Sequence, residues 1–280
     1  MINEIDHLGL NCLELKNEDA RLVIPIAFGP RVLSYGLDEG ENVFGWHPQA
    51  AVQTELGTWR PYGGHRVWAA PENMPLSYAP DNDPVEHHTA GDLSITVTGS
   101  PDPIRGLQKE LTITLAETGS EVTVDHRITN TGTPVVEISA WALTIMRSAG
   151  EAVVPSEPFA PYSRDNLLPV RSMALWSYTD LTDPRWTMDK DAIRLKCDER
   201  YDTQQKFGVL NKQGWVAYEL PEVTFTKRFD YVADSSYPDI NSNTEIYTAG
   251  GFIEVETLSP LRPLEPGDAI EYQERWKLAY

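Results

Sequence analysis

Apolar residues recur along this chain mostly at every second position. Segments such as "DLSITVTGS" (92–100), "KELTITLAE" (109–117), "SEVTVDHRITN" (120–130), "VTFTKRFDYVA" (223–233) and "AIEYQERWKLAY" (269–280) alternate apolar with polar residues or concentrate β-branched and aromatic ones. This is the two-residue period of a strand with one buried and one solvated face. "ARLVIPIAFG" (20–29), "VVEISAWALTIM" (135–146), "GWVAYEL" (214–220) and "FIEVETL" (252–258) show the same enrichment. Breaks such as "DEGEN", "SPDP", "NTGTP" and "EPGD" punctuate them, with the residues that turns require. Long 3.6-residue periodicity is missing, and only short windows such as 197–206 read as a helical turn. The pattern predicts an all-β protein, most simply one domain over residues 1–280 with many antiparallel strands in two packed sheets. The Pro-rich stretch around 155–171 carries Phe159, Tyr162 and Leu168. Those apolar residues predict a long loop laid over the domain surface rather than a solvated linker.

Charge narrows the partners. The 42 acidic residues outnumber the 23 basic ones, for a net charge of −19. Such a field repels nucleic acid phosphates and anionic lipid surfaces, so neither is an expected partner. Cys12 and Cys197 are too few for a disulfide framework and have no metal-ligand spacing. A reducing compartment, the cytoplasm, is therefore expected. No apolar run reaches the about 18 residues of a membrane helix, and the N-terminal residues lack the pattern of a secretory signal. Zinc motifs, nucleophile elbows and phosphate-binding glycine loops are not found, so no metal and no cofactor are expected.

Two stretches carry candidate chemistry. In "WRPYGGHRVWAAPE" (59–72), two glycines run into His65 and Arg66, with Trp59, Tyr62 and Trp68 close by. Arginine offers several fixed donors and keeps its charge, while Trp and Tyr combine an apolar face with a polar handle. This is either a packed turn or one wall of a site for a polar ligand with apolar faces. In "GGFIEVETLSP" (250–260), a strand over 252–257 points Phe252, Glu254 and Glu256 to one face, the two glutamates about 6.5–7 Å apart. They read as a solvated outer face or as a source of a general base. The pair His87–His88 in "DNDPVEHHTAG" and Asn243 in "SSYPDINSNTEIYT" are further polar candidates.

Together these motifs resemble the galactose mutarotase (aldose 1-epimerase) superfamily, and more closely its mutarotase-like domain branch. "RLVIPIAFGPRVLSYG" resembles that superfamily's opening hairpin, "YGGHRVW" lies where mutarotases place a sugar-contacting arginine, and "FIEVETLSP" resembles their late Glu-Thr-Gln segment. The resemblance implies a large antiparallel β-sandwich, the mutarotase-like supersandwich, with a sugar site on a concave sheet. It implies a small-molecule carbohydrate as partner, a monosaccharide or short glycan, and carries no implication for oligomeric state.

Carried over residue by residue, the resemblance makes Glu256 the general base and Arg66 the substrate-holding arginine. Trp59, Trp68, Tyr62, Glu254, His87, His88 and Asn243 complete the candidate binding residues. Mutarotation needs a base for the anomeric hydroxyl and an acid for the ring oxygen. The family's acid histidine lies on a central strand, and the matching strand here, "EISAWALTIMRSAG", has none. His65 is then the first substitute for the acid and the His87–His88 pair the second. Two other readings stand beside the isomerase: a sugar-binding module without catalysis, and a lyase or other epimerase on the same fold.

Overall fold

A computed structural model describes residues 1–280. Its architecture is an antiparallel β-sandwich. A ten-stranded sheet runs in spatial order Trp186–Met188, Ala192–Lys196, Glu151–Pro155, Trp215–Glu219, Thr224–Phe229, Ala269–Ala279, Val122–Asn130, Leu107–Leu115, Ser94–Thr98 and Glu86–Thr89. Against it packs an eight-stranded sheet whose central members are Gln205–Val209, Thr244–Ala249, Phe252–Leu258, Val136–Met146 and Tyr62–Ala70. The first four strands, from Ile2–His7 to Ser34–Leu37, form a separate small sheet. No helix is long and apolar enough to cross a membrane.

The two-residue period explains which faces are buried. In Val122–Asn130 and Ala269–Ala279 every second residue is buried and the residues between are exposed or half-buried. This is the signature of a sheet with one face in water. Their inward residues join a core of 46 buried side chains drawn from both large sheets and from the small four-stranded one. By contrast, Val136–Met146 is buried at nine consecutive positions, from Ile138 onward. Its outer face is covered by a separate apolar cluster of Trp59, Trp68, Ala70, Trp141, Leu143 and Leu258.

Three sequence expectations change. Residues 197–204 form turns and irregular backbone rather than a helix, and the short helical segments are the 3₁₀ turn Leu76–Tyr78 and Pro238–Asn241, whose last three residues are left-handed. The 155–171 stretch is indeed irregular, but Phe159, Tyr162 and Leu168 are 68%, 90% and 83% exposed, so they do not anchor it. "YGGHRVWAA" is not a turn but a nine-residue strand, Tyr62–Ala70. Its glycines serve a close backbone approach: a Cβ on Gly63 would lie 2.0 Å from the Gly45 carbonyl oxygen, and one on Gly64 2.0 Å from that of Val32. Both also have positive φ, at 142° and 68°, which glycine adopts without a steric penalty.

Candidate functional site

The strand register assembles a polar row across the outer face of the eight-stranded sheet. Arg66 is opposite Leu143, which is opposite Glu256, which is opposite Glu245. One step along, Lys206 is opposite Tyr247 and Tyr247 opposite Glu254. Directly paired residues of an antiparallel sheet share a face, so two cations and three carboxylates from four strands meet on one surface.

A cavity of about 430 Å³ opens over this row. Its floor is aromatic and buried: Trp68 packs against Trp59 and Trp141 with ring centroids 5.3 and 5.5 Å away. Tyr78, Tyr178, Tyr247 and Phe252, which are more accessible, form the mouth. Arg66 packs against a pair of touching indoles, its guanidinium carbon 5.3 Å from the Trp59 ring and 4.7 Å from Trp68. Its Nη2 donates to Glu254 Oε1 at 3.0 Å. The Nε and Nη1 of Arg66 and the Nε1 of Trp59 are buried in this wall without a hydrogen-bond partner.

The electrostatics follow from three carboxylates sharing two cations. Burial pushes the Glu254 carboxyl up to about 7, against the pull of Arg66 and with help from the nearby Glu256. Burial also raises Glu245 well above the ordinary carboxylate range, with Lys206 opposing and Glu256 reinforcing the rise. Lys206 Nζ is 2.8 Å from Glu245 Oε2 and 3.2 Å from Glu256 Oε2. Burial works against its charge, but these two carboxylates outweigh it and hold the ammonium well above its usual value.

The sequence-derived residues divide. Arg66, Trp59, Trp68 and Glu254 all line the cavity. Glu256 lies just behind it, fully buried, with Oε2 accepting from Trp141 Nε1 at 2.8 Å and from Lys206, and Oε1 unpartnered. His65 is on the wrong face. It neighbours Arg66 on a strand, so its side chain enters the space between the sheets. There its Nε2 is 2.7 Å from His126 Nε2 and its Nδ1 2.8 Å from Thr144 Oγ1. Burial holds His65 well below its ordinary pKa and lowers His126 as well. His65 is therefore a neutral interior group and cannot share a ligand with Glu254 or Glu256.

The other candidates also fall outside the cavity. Tyr62 stacks on Phe28 and Trp46 and donates to Asn82. His87 and His88 are exposed on the edge strand Glu86–Thr89 of the other sheet. Asn243 is buried and clamps the Asn211 backbone, accepting from its N–H at 2.7 Å and donating to its carbonyl at 3.0 Å. Sequence reading missed Lys206, Trp141, Tyr78 and Tyr247. For Lys206, Trp141 and Tyr247 the only local signal is the two-residue period of their strands, and Tyr78, in the 3₁₀ turn Leu76–Tyr78, lacks even that.

His65, His126 and Glu274 gather possible metal-binding atoms within 4.8 Å of one another. However, Lys227 Nζ already pairs with Glu274 at 3.0 Å, and both histidine nitrogens of each ring are occupied. The cluster is neutral and satisfied without an ion.

No protein-family model and no curated protein matches the chain. Solved structures do. Over 96% of its length the chain is similar to a TPR-domain containing protein from Parabacteroides distasonis, with a TM-score of 0.64 and 16% identity; it spans only 47% of that protein. It is similar over 96% of its length to the whole of a galactose mutarotase-like protein from Lactobacillus casei, with a TM-score of 0.56 and 12% identity. A galactose mutarotase related enzyme from Lactobacillus acidophilus matches 96% of the chain over 97% of its own length, at a TM-score of 0.53 and 9% identity. The chain has the galactose mutarotase-like β-sandwich fold.

Proposed function

We propose that the protein binds a sugar, a monosaccharide or the end of a short glycan, in the aromatic-walled cavity. The observation that carries this reading is the set of three buried, unpartnered donors, Arg66 Nε, Arg66 Nη1 and Trp59 Nε1, in a wall of indole rings. An unpaired buried donor costs about 1–3 kcal/mol, so a wall holding three of them is suited to a ligand rich in hydroxyl acceptors. A pyranose offers those hydroxyls together with apolar C–H faces that pack on Trp and Tyr. Tryptophan fluorescence and calorimetry against a panel of aldoses test the reading directly. A saturable emission change for at least one aldose is expected, and no response from any of them overturns it.

The Glu254 carboxyl, poised at about 7 in the cavity wall, favours a second reading. In this one the protein is an aldose 1-epimerase-type isomerase, and Glu254 replaces Glu256 as the base. Glu254 takes the proton of the anomeric hydroxyl as the bond from carbon 1 to the ring oxygen breaks. Tyr247, opposite Glu254 and held protonated by burial and by that carboxylate, gives a proton to the ring oxygen. Rotation about the bond to carbon 1 and reclosure then deliver the other anomer. The fold likeness to a galactose mutarotase related enzyme supports this chemistry.

The base must be ionised, so acceleration of α/β exchange should rise with pH through about 7 and be lost in Glu254→Gln. Two-dimensional exchange NMR on the anomeric protons measures it. Stability should move the other way. A carboxyl raised from near 4.5 to about 7 stabilises the fold fully below the lower value, and the contribution is lost as pH climbs through the upper one. A flat rate profile, or one that Glu254→Gln leaves intact, removes Glu254 from the base role and leaves binding alone.

A further inference from the structure

The outer face holds a second hollow of about 310 Å³, lined by Glu72, Met74, Tyr78, Trp176, Lys206 and Asp239. Three of these, Glu72, Tyr78 and Lys206, also line the larger cavity. The hollows therefore meet along a shared polar ridge, in which the Tyr78 hydroxyl donates to Glu72 Oε1 at 2.5 Å. Lys206 Nζ is 4.8 Å from the Trp141 ring centroid and 4.7 Å from that of Trp176. One aromatic plate belongs to the first hollow and the other to the second, with a charged group between them.

The backbone that supplies Asp239 is unusual. Asp239, Ile240 and Asn241 have φ of 49°, 59° and 67°, three consecutive non-glycine residues in the left-handed region. This conformation is unfavourable for L-residues and most of all for a β-branched one such as isoleucine. Two hydrogen bonds fasten the segment: the Tyr237 N–H donates to Asn241 Oδ1 at 2.9 Å, and Ser242 Oγ donates to the Asp239 carbonyl at 2.8 Å. Ile240 is 80% exposed, so packing of its side chain does not offset the strain. What the conformation achieves is to bring Asp239 to the wall of the second hollow. Strain of this kind collects at ligand sites.

Resting on the sugar-binding reading above, we propose that the two hollows form one groove for an oligosaccharide of at least two rings. Trp176 packs on the second ring, and Glu72 and Asp239 accept its hydroxyl protons. A glycan repeats an apolar ring face and a hydroxyl rim at each unit, and the groove repeats an aromatic plate and a polar rim to match. Charge sets the class of the second ring. Two carboxylates face it, and the nearby ammonium is already paired with Glu245 and Glu256. A neutral sugar suits this hollow, while a uronate, sulfate or phosphate is repelled.

Calorimetry on the full chain tests the groove, using glucose, galactose and mannose beside maltose, cellobiose, galactobiose and mannobiose. At least one disaccharide should bind about tenfold tighter than its monosaccharide. Trp176→Ala and Asp239→Asn should each erase that gain and leave monosaccharide affinity within about twofold. Asparagine tolerates the left-handed conformation, so Asp239→Asn removes the charge and keeps the backbone. Equal affinity for one and two rings, or a gain that survives both substitutions, overturns the groove while sugar binding stands. No binding of any of these sugars overturns both.

Discussion

Replacing Arg66 with methionine should abolish sugar binding and destabilise the fold by about 3 kcal/mol. Both effects have one origin. Arg66 is 2% exposed, packed against the Trp59 and Trp68 rings, and it is the cation that neutralises Glu254. Methionine preserves the packing of the side-chain stem and deletes the charge and every donor. Glu254 is then left without its cation in a mostly buried position, its carboxyl rises above about 7, and the cavity loses its arginine donors. The double variant Arg66→Met, Glu254→Gln separates the consequences. It removes the unpaired charge and should recover most of the lost stability, but not binding. Arg66→Lys should be intermediate, because an ammonium keeps the charge and lacks the planar guanidinium that packs on the two indoles and donates from several nitrogens. Urea denaturation and sugar titration on the parent, Arg66→Met, Glu254→Gln and the double variant make a complete cycle, with Arg66→Lys measured beside it. If Arg66→Met binds sugar like the parent, the cavity is not the site.

The extent to which this site was legible follows from the strand period. Alternation identified the strands around 92–130, 214–233 and 269–280, because each shows one apolar and one polar face to its surroundings. It was silent for Tyr62–Ala70, where two glycines read as a turn although they serve a close backbone approach. The same rule that puts Glu254 and Glu256 on one face puts His65 and Arg66 on opposite faces, once 62–70 is a strand. Reading that segment as a loop is what allowed both to be assigned to one pocket. Trp141 and Lys206 were illegible for another reason. Their roles depend on which strands are neighbours, and the pairing of 205–209 with 244–249 and of 136–146 with 252–258 is long-range information that no local pattern carries.

The interior behind the site supports a second large effect: Lys227→Met should destabilise the protein by about 3–5 kcal/mol and leave the cavity intact. Lys227 and Glu274 are completely buried between the sheets and 3.0 Å apart. Lys227 also donates to the carbonyls of Ala142 and Val255 at 3.3 and 3.2 Å, tying the ten-stranded sheet to the strands that carry Glu254 and Trp141. Glu274 accepts in addition from Trp276 Nε1 at 2.8 Å and from the Thr257 hydroxyl. Burial lowers the Lys227 pKa, with Glu274 resisting the shift, so the pair is held together by its mutual contact in a medium that favours neither charge alone. Methionine fills the stem's volume and leaves Glu274 as a buried anion without its cation, held only by Trp276 and Thr257. That anion can escape its penalty by taking up a proton, which raises its pKa in the folded state. A raised carboxyl loses its stabilising contribution as pH increases, so the variant should be markedly weaker at about pH 8 than at about pH 5. Adding Glu274→Gln should remove this pH dependence and restore much of the stability, since the uncompensated charge is gone. Urea midpoints for the parent and the two variants at both pH values decide the matter. A Lys227→Met protein within about 1 kcal/mol of the parent at both pH values would mean that the pair does not hold the two sheets together.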